Sequence, residues 1–332
     1  MADALVSPAV GGTMLAVSAA AIGYAVKKTG AMEEKKIPVM GVMGAFIFAG
    51  QMINFTIPGT GSSGHIGGGI LLAAILGPFP ALLTLAAVLL IQCLFFADGG
   101  LLAYGCNVFN MGVISCIFAF QFIYKPIAGD GQSRKRIIAG SIAAVVLGLQ
   151  AGAFCVVLET LLSGVTELPF ASFVLLMQPI HLAIGLVEGI VTAAVLSYIH
   201  AVRPELIAGA ISAEPLAPSL SMKKALVSLA IAAALTGGLL SLFASAFPDG
   251  LEWSMEGVAG TAELEREGGV YEAAGQAVAK TAFMPDYAFT GAAADSPAGT
   301  SVAGIVGCVI TVALAGGIGF VIRKAALRKR SA

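Results

Sequence analysis

Apolar residues run along this chain in blocks of about twenty. Short stretches rich in Gly, Pro, Ser and basic residues separate them. The blocks fall at about 9–26, 37–57, 67–97, 105–124, 137–162, 173–200, 225–247 and 301–322. Blocks of this length match a helix crossing the hydrocarbon core of a bilayer. The block 67–97 is too long for one crossing, and it contains Gly77-Pro78-Phe79-Pro80. Proline removes a backbone donor and clashes with the preceding turn. The pattern therefore predicts a short helix of about 67–77 followed by a second of about 80–97.

Charge orders the blocks. Of the 18 Lys and Arg residues, 16 lie in 27–36, 125–136, 201–224 and 323–332. The positive-inside rule makes these four stretches cytoplasmic. An odd number of crossings must then separate an outer loop before residue 67 from the inner stretch 125–136, so 66–124 holds three. The short helix supplies the extra one. At 1.5 Å per residue it reaches only about 18 Å, short of a free crossing of about 30 Å, so it must be packed inside the bundle. The expectation is an all-α polytopic helix bundle of nine passes, N-terminus outside and C-terminus inside. Seven passes fall in 1–200, a cytoplasmic linker with Pro204, Pro215 and Pro218 in 201–224, and a two-pass unit in 225–332. That unit surrounds an outer insert, 248–300, which carries nine acids (Asp249, Glu252, Glu256, Glu263, Glu265, Glu267, Glu272, Asp286 and Asp295) against Arg266 and Lys280. An acidic outer piece raises the local cation concentration; a merely solvated loop has the same composition.

Composition agrees with this reading. The chain is 58% hydrophobic and 11% charged, with a mean hydropathy of +0.94, whereas soluble chains are about 25% charged. A net charge of −1 points away from nucleic acid. The opening "MADALVSPAVGG" has an acid and no basic segment, unlike a cleavable signal peptide. The five cysteines lie in apolar blocks with no metal-ligand spacing, as buried fillers do. No G-x-x-x-x-G-K-[ST] motif occurs, so the chain has no Walker-type ATPase site. Active transport would need an external motor or an ion gradient.

Candidate chemistry gathers at "GTGSSGHIGGG", residues 59–69, where six glycines flank His65. The topology puts this apparently flexible loop and the N-terminus on the same side, and the first residues are free to fold into the bundle mouth. Imidazole is the commonest side-chain metal ligand. Together with amine and amide nitrogens it suits a square-planar ion such as Ni(II), or Co(II). An alternative is a histidine simply hydrogen-bonded in a tight loop. A second reading takes Gly61-Ser62-Ser63-Gly64 as the G-x-S-G of rhomboid-type proteases, with Ser63 as nucleophile and His181 or His200 as base. Intramembrane Glu159, His181 and Glu188 are costly and default to function. His181 and Glu188, seven apart, share a helix face and fit an ion-coupled secondary transporter. Gln51, Asn54, Gln92, Asn107, Asn110, Gln150 and Gln178 fit interhelical hydrogen bonding. Gly41, Ala45 and Ala49 form a small-residue face suited to close approach of another helix.

The segments "MADALVSPAVGGTM", "GSSGHIGGGILLAAILGPFPA", "QCLFFADGGLLAYGCNVFNMG" and "HLAIGLVEGIVTAAV" resemble the CbiM/NikM family. These are substrate-capture subunits of energy-coupling-factor (ECF) ABC transporters for cobalt or nickel. The likeness covers roughly residues 1–200. The second block, with "PDGLEWS" at 248–254, resembles the CbiN/NikN-type component fused to it. The resemblance implies a multi-pass protein of a prokaryotic cell membrane, with no enzyme activity and no resident cofactor. Co2+ or Ni2+ would be bound from outside by the N-terminal amine, nitrogens of the second residue and the glycine-loop histidine. These carry over to Met1, Ala2 and His65. The family's second-position histidine does not carry over, because residue 2 is alanine. "MADAL" aligns with family sequences just after an initial Met-His, so a natural start two residues upstream is an expectation of the resemblance. Implied partners are a CbiQ/NikQ-like coupling subunit, assigned here to the Gly41/Ala45/Ala49 face, and CbiO/NikO-like ATPases. Transport would follow toppling of the capture subunit in the bilayer, driven by ATP hydrolysis elsewhere.

Overall fold

The computed structural model describes residues 1–30, 34–213, 222–262, 264, 266–289 and 297–331. Glu263, Glu265 and Asp295 of the acidic insert, and Pro215 and Pro218 of the expected linker, lie outside the described residues. The first half contains helices α1 (Pro8–Thr29), α2 (Lys36–Gln51), α3 (Gly69–Leu76), α4 (Pro78–Phe96) and α5 (Tyr104–Ala128). It continues with α6 (Arg134–Ser163), α7 (Phe170–Val202) and α8 (Pro204–Ser212). The second half contains α9 (Lys223–Gly238), α10 (Gly250–Ala259), α11 (Gly269–Thr281) and α12 (Pro297–Ser331).

Among the described residues six helices, α1, α4, α5, α6, α7 and α12, are long and apolar enough to cross a membrane, and α2 is a shorter apolar helix. The block expected as a crossing over 37–57 is cut short: α2 stops at Gln51, and Phe55–Ile57 turns into a strand. The block over 225–247 likewise loses its helix at Gly238 and continues as a tight turn, Leu240–Phe243. The break at Gly77 lies where the prolines place it. Gly77 has φ +87°, and Pro78 opens α4 at a position that needs no backbone donor.

Burial sorts the helices. In α4, 72% of the most apolar stretch is buried; in α1 only 17% is. Hence α4 is the axis of the bundle and α1 lies on its rim, with Leu15, Val17 and Tyr24 exposed. Every residue of α3 is buried. It packs against α4, α5 and α8, as its inadequate length demands. The stretch expected only as a linker thus opens with a structured element, α8, whose Leu206, Ile207 and Ile211 join the main core. Long α6 and α7 run side by side and form the most extensive helix pair. Gln150 Nε2 donates to the Gln178 carbonyl across them at 2.9 Å.

The small-residue face of α2 is occupied within the chain. A Cβ at Gly41 would stand 3.0 Å from the Val312 carbonyl of α12, and Cys308 Sγ lies 3.4 Å from the Ala45 carbonyl. Ala45 and Ala49 share an apolar cluster with Ala233 of α9 and Ala303 of α12. The assignment of Gly41, Ala45 and Ala49 to a partner subunit is therefore corrected. Small residues let two backbones approach, and here the approaching helix is the chain's own α12.

Candidate functional site

The glycine segment is not a flexible loop. Phe55–Ile57 (β1) pairs antiparallel with Ser62–Gly64 (β2), and Gly59 and Gly61, both at positive φ, turn the chain between them. The hairpin delivers His65 at the end of β2. Beyond it, two buried side chains hold the backbone. Gln51 of α2 donates its Nε2 to the Gly67 carbonyl at 2.9 Å, and Glu188 Oε1 of α7 accepts the Gly68 N–H at 2.8 Å. Gly68 is left-handed at the start of α3, and a Cβ there would fall 2.5 Å from Ile47. The Glu188 carboxylate thus caps the helix that follows His65, where negative charge is favoured. His65 Nδ1 lies 3.2 Å from the Ile66 carbonyl. With the ring proton there, Nε2 keeps its lone pair.

The N-terminus folds into the same mouth. The Met1 carbonyl accepts from Asn107 Nδ2 at 3.1 Å, and Asp3 Oδ1 accepts the Ala103 N–H at 2.8 Å. Leu5 and Val6 are fully buried.

Two chambers meet at this point. An inner cavity of about 130 Å³ is lined by His65, Asn110, His181 and Glu188, and an outer vestibule of about 550 Å³ by Ala2, Gln92, Asp98 and Asp286. Met1, His65, Asn107, Met111, Asp249 and Leu251 line both. Met1 and His65 therefore stand at the threshold, with Ala2 on the outer side only. His181 and Glu188 do line one chamber, as their spacing predicts. Each is also tied to the scaffold: Glu188 to Gly68, and His181 Nδ1 to the Met177 carbonyl at 2.7 Å. Among the described residues no three His, Cys, Asp or Glu side chains converge. A metal ligand set here would draw on donors of other kinds as well, such as backbone nitrogen.

The serine–histidine reading is corrected. Ser63 is fully buried; its hydroxyl donates to the Phe247 carbonyl at 2.7 Å and its N–H to the Pro248 carbonyl at 2.8 Å. His181 bonds Met177. His200 lies nineteen residues further along α7, about 28 Å at 1.5 Å per residue, where Nε2 bonds the Gln132 carbonyl. Neither imidazole meets Ser63.

Asp249–Glu252 form a wall of the chambers that the sequence does not reveal. Trp253 Nε1 donates to the Thr60 carbonyl at 3.0 Å, fixing this segment on the hairpin. Asp249 caps α10 by accepting the Leu251 and Glu252 N–H groups, and Glu252 Oε2 reciprocates at the Asp249 N–H. This is a capping box, whose D-x-x-E spacing is readable in sequence. Its seat against the first half is not. Gly250 is glycine because a Cβ would stand 2.8 Å from Ile184 and 3.0 Å from the His181 ring. Further out, Tyr287 donates its hydroxyl to Asp98. Burial first, then the Asp98 charge, push that phenol well above its ordinary range.

Fold and chambers together define a multi-pass helical membrane protein with a small, mostly apolar cavity that carries a few polar side chains and shares a threshold with a larger vestibule. Comparison with known proteins supplies the family. The CbiM family, described as the cobalt uptake substrate-specific transmembrane region, matches residues 1–206, and the PDGLE domain matches 223–324. The chain belongs to the CbiM family, in a form fused to a PDGLE domain, and is a membrane transport component. A protein of Archaeoglobus fulgidus with the provisional name fused nickel transport protein NikMN is 34% identical over 313 residues, 94% of this chain and 95% of that one. The cobalt transport protein CbiM of Geobacter sulfurreducens is 32% identical over 179 residues, 52% of this chain and 49% of that one. A crystal structure of a transition metal transporter superposes with a TM-score of 0.54 at 29% identity, covering 61% of this chain and 92% of the other.

Proposed function

We propose that this chain is the substrate-capture subunit of an ECF-type ABC importer for cobalt or nickel. The divalent ion, as substrate, enters through the outer vestibule. It is held at the threshold by the Met1 amine, the Ala2 amide nitrogen and the His65 imidazole. The observation that carries this reading is that Met1 and His65, sixty-four residues apart in sequence, line both chambers. Three nitrogens leave a fourth position for another donor at the threshold; in a natural chain extended by Met-His, the new terminal amine and the added histidine would supply nitrogens in place of the Met1 amine. Coupling and ATPase subunits supply the energy, since the chain has no nucleotide motif of its own. The N-terminus and the PDGLE-type insert face outside, and the C-terminus, with Arg323, Lys324 and Arg328, faces the cytoplasm. Residues 1–200 form the capture domain and 225–332 a two-pass unit whose outer insert closes the vestibule wall.

The test is titration of the purified chain in detergent with Co(II) and Ni(II), beside His65→Ala. Tight one-to-one binding that disappears in His65→Ala is the expected result. Tight binding unchanged in His65→Ala would overturn the assignment, as would no binding either by this chain or by one extended by Met-His.

A further inference from the structure

The second half of the chain offers a donor at the threshold itself. Of the residues that line both chambers, Asp249 is the one carboxylate. Its Oδ1 is taken by the capping box, accepting the Leu251 N–H at 2.8 Å and the Glu252 N–H at 2.9 Å. Glu252 Oε2 in turn holds the Asp249 N–H at 3.0 Å, so the residue is anchored on three sides. Its Oδ2 accepts nothing from the described residues, yet it is not sealed in the interior: it keeps open surface on a half-buried residue. A carboxylate with one oxygen anchored and the other free is set up to accept one more partner.

The backbone brings Asp249 and His65 to neighbouring points. The Ser63 N–H donates to the Pro248 carbonyl at 2.8 Å, so the strand that delivers His65 and the segment that leads into Asp249 lie against each other. Gly64, just before His65, and Gly250, just after Asp249, press on one side chain. Cβ atoms at these two positions would stand 2.5 Å and 2.8 Å from Ile184. Asp249 and His65 also both act electrostatically on the ring of His181, a wall of the inner cavity.

We infer that Asp249 Oδ2 is the fourth donor to the divalent ion captured by Met1, Ala2 and His65, so that both halves of the chain hold the ion jointly. The inference rests on the capture reading. An amine and an imidazole bind as neutral groups and leave the ion's charge largely uncompensated. In a chamber away from bulk water, an anion in contact offsets that charge most strongly. The other threshold side chains with donor atoms, Asn107 and Met111, are neutral, and Asn107 Nδ2 already serves the Met1 carbonyl. A mixed nitrogen and oxygen set still suits a tetragonal ion such as Ni(II).

Titration of the full chain in detergent with Co(II) and Ni(II) tests this, followed by calorimetry and by the visible absorption of the bound ion. Asp249→Asn and Glu252→Gln run alongside. Asparagine caps a helix about as well as aspartate, so Asp249→Asn keeps α10 and removes the anionic donor. Glu252→Gln removes a neighbouring charge that lines the outer vestibule only. The expected result for Asp249→Asn is an affinity at least tenfold lower and a shifted absorption spectrum at saturation, with both readouts unmoved in Glu252→Gln. Unchanged binding in Asp249→Asn, weaker binding with an unshifted spectrum, or equal losses in the two variants overturns the fourth donor and leaves capture standing. Binding that appears only after extension by Met-His does the same; no binding by either chain sinks both readings. If Asp249→Asn binds nothing at all, its melting midpoint decides: an unmoved midpoint upholds the donor, and a lowered one overturns it.

Discussion

Two of the places where the halves of the chain meet are built in opposite ways. At the outer joint, the hairpin carrying His65 meets residues 245–253 through directed polar contacts. Ser63 bonds Phe247 and Pro248, Trp253 bonds Thr60, and the Ser245 N–H bonds the Asn54 carbonyl at 2.7 Å. At the seam, α2 meets α12 mainly through small and apolar residues: Gly41 lies against Val312, Gly44 against Thr311 and Ala315, and Ala45 against Cys308, while Phe48 packs with Phe96 and Tyr287. Hydrogen bonds are individually modest and geometrically exact; close packing is undirected but sums over many atoms. The joint therefore shapes the chamber, and the seam holds the halves together.

This contrast is open to attack at both ends. The largest effect is expected from His65→Ala, which removes a ligand and should weaken Co(II) or Ni(II) binding by more than about 100-fold, beyond the usual loss for a supporting residue. The melting temperature in detergent should hardly move. A large drop in melting temperature would show that the hairpin carries stability rather than chemistry.

Glu188→Ala strips the cap from Gly68 and leaves the backbone that carries His65 unclamped. Metal affinity should fall by about 10–100-fold, the range for groups that orient a ligand. Glu188→Gln, which still accepts a hydrogen bond, should recover part of the loss. Equal losses in both would mean that charge, not clamping, is what Glu188 supplies.

The seam is probed by Gly307→Val. A Cβ there would stand 2.0 Å from the ring of Phe48, which is fully buried and has nowhere to move. Overpacking of this kind costs about 1–3 kcal/mol, read as a lower midpoint of thermal unfolding. Metal affinity of the folded fraction should stay within about twofold, well inside the tenfold that 1.4 kcal/mol represents. A parallel loss of affinity would erase the division of labour between seam and joint.

The smallest effect belongs to Ser63→Ala. Losing one hydroxyl bond to Phe247 should cost about 1 kcal/mol in thermal stability. Labelling by a serine-directed phosphonate should be absent before and after. Labelling that vanishes with the substitution would restore the protease reading.

Particular residues show how far the sequence could be read. The Gly77–Pro80 break and a short buried α3 were both legible, because proline geometry and helix rise are local or one-dimensional constraints. The hairpin at 55–64 was not: a three-residue strand carries too little periodicity, and its glycines pointed to flexibility. Glu188 was legible as a costly buried acid but not as a cap, because its partner, Gly68, lies 120 residues away. The second block's Asp249 and Gly250 were read as part of a charged insert, although they form the cavity wall beside His181.

Sequence alone determined that this is a polytopic helical membrane protein, where its principal helix break falls and which histidine sits in the glycine segment. Hydropathy, proline and glycine act through the chain's own neighbours and need no fold to be felt. Tertiary structure decided what those pieces face. It placed α12 on the small-residue stripe of α2, locked Ser63 onto Pro248, and set Met1 beside His65 at the threshold of two chambers. Those outcomes depend on which helix faces which across dozens or hundreds of residues, a quantity fixed only when all faces compete for burial at once.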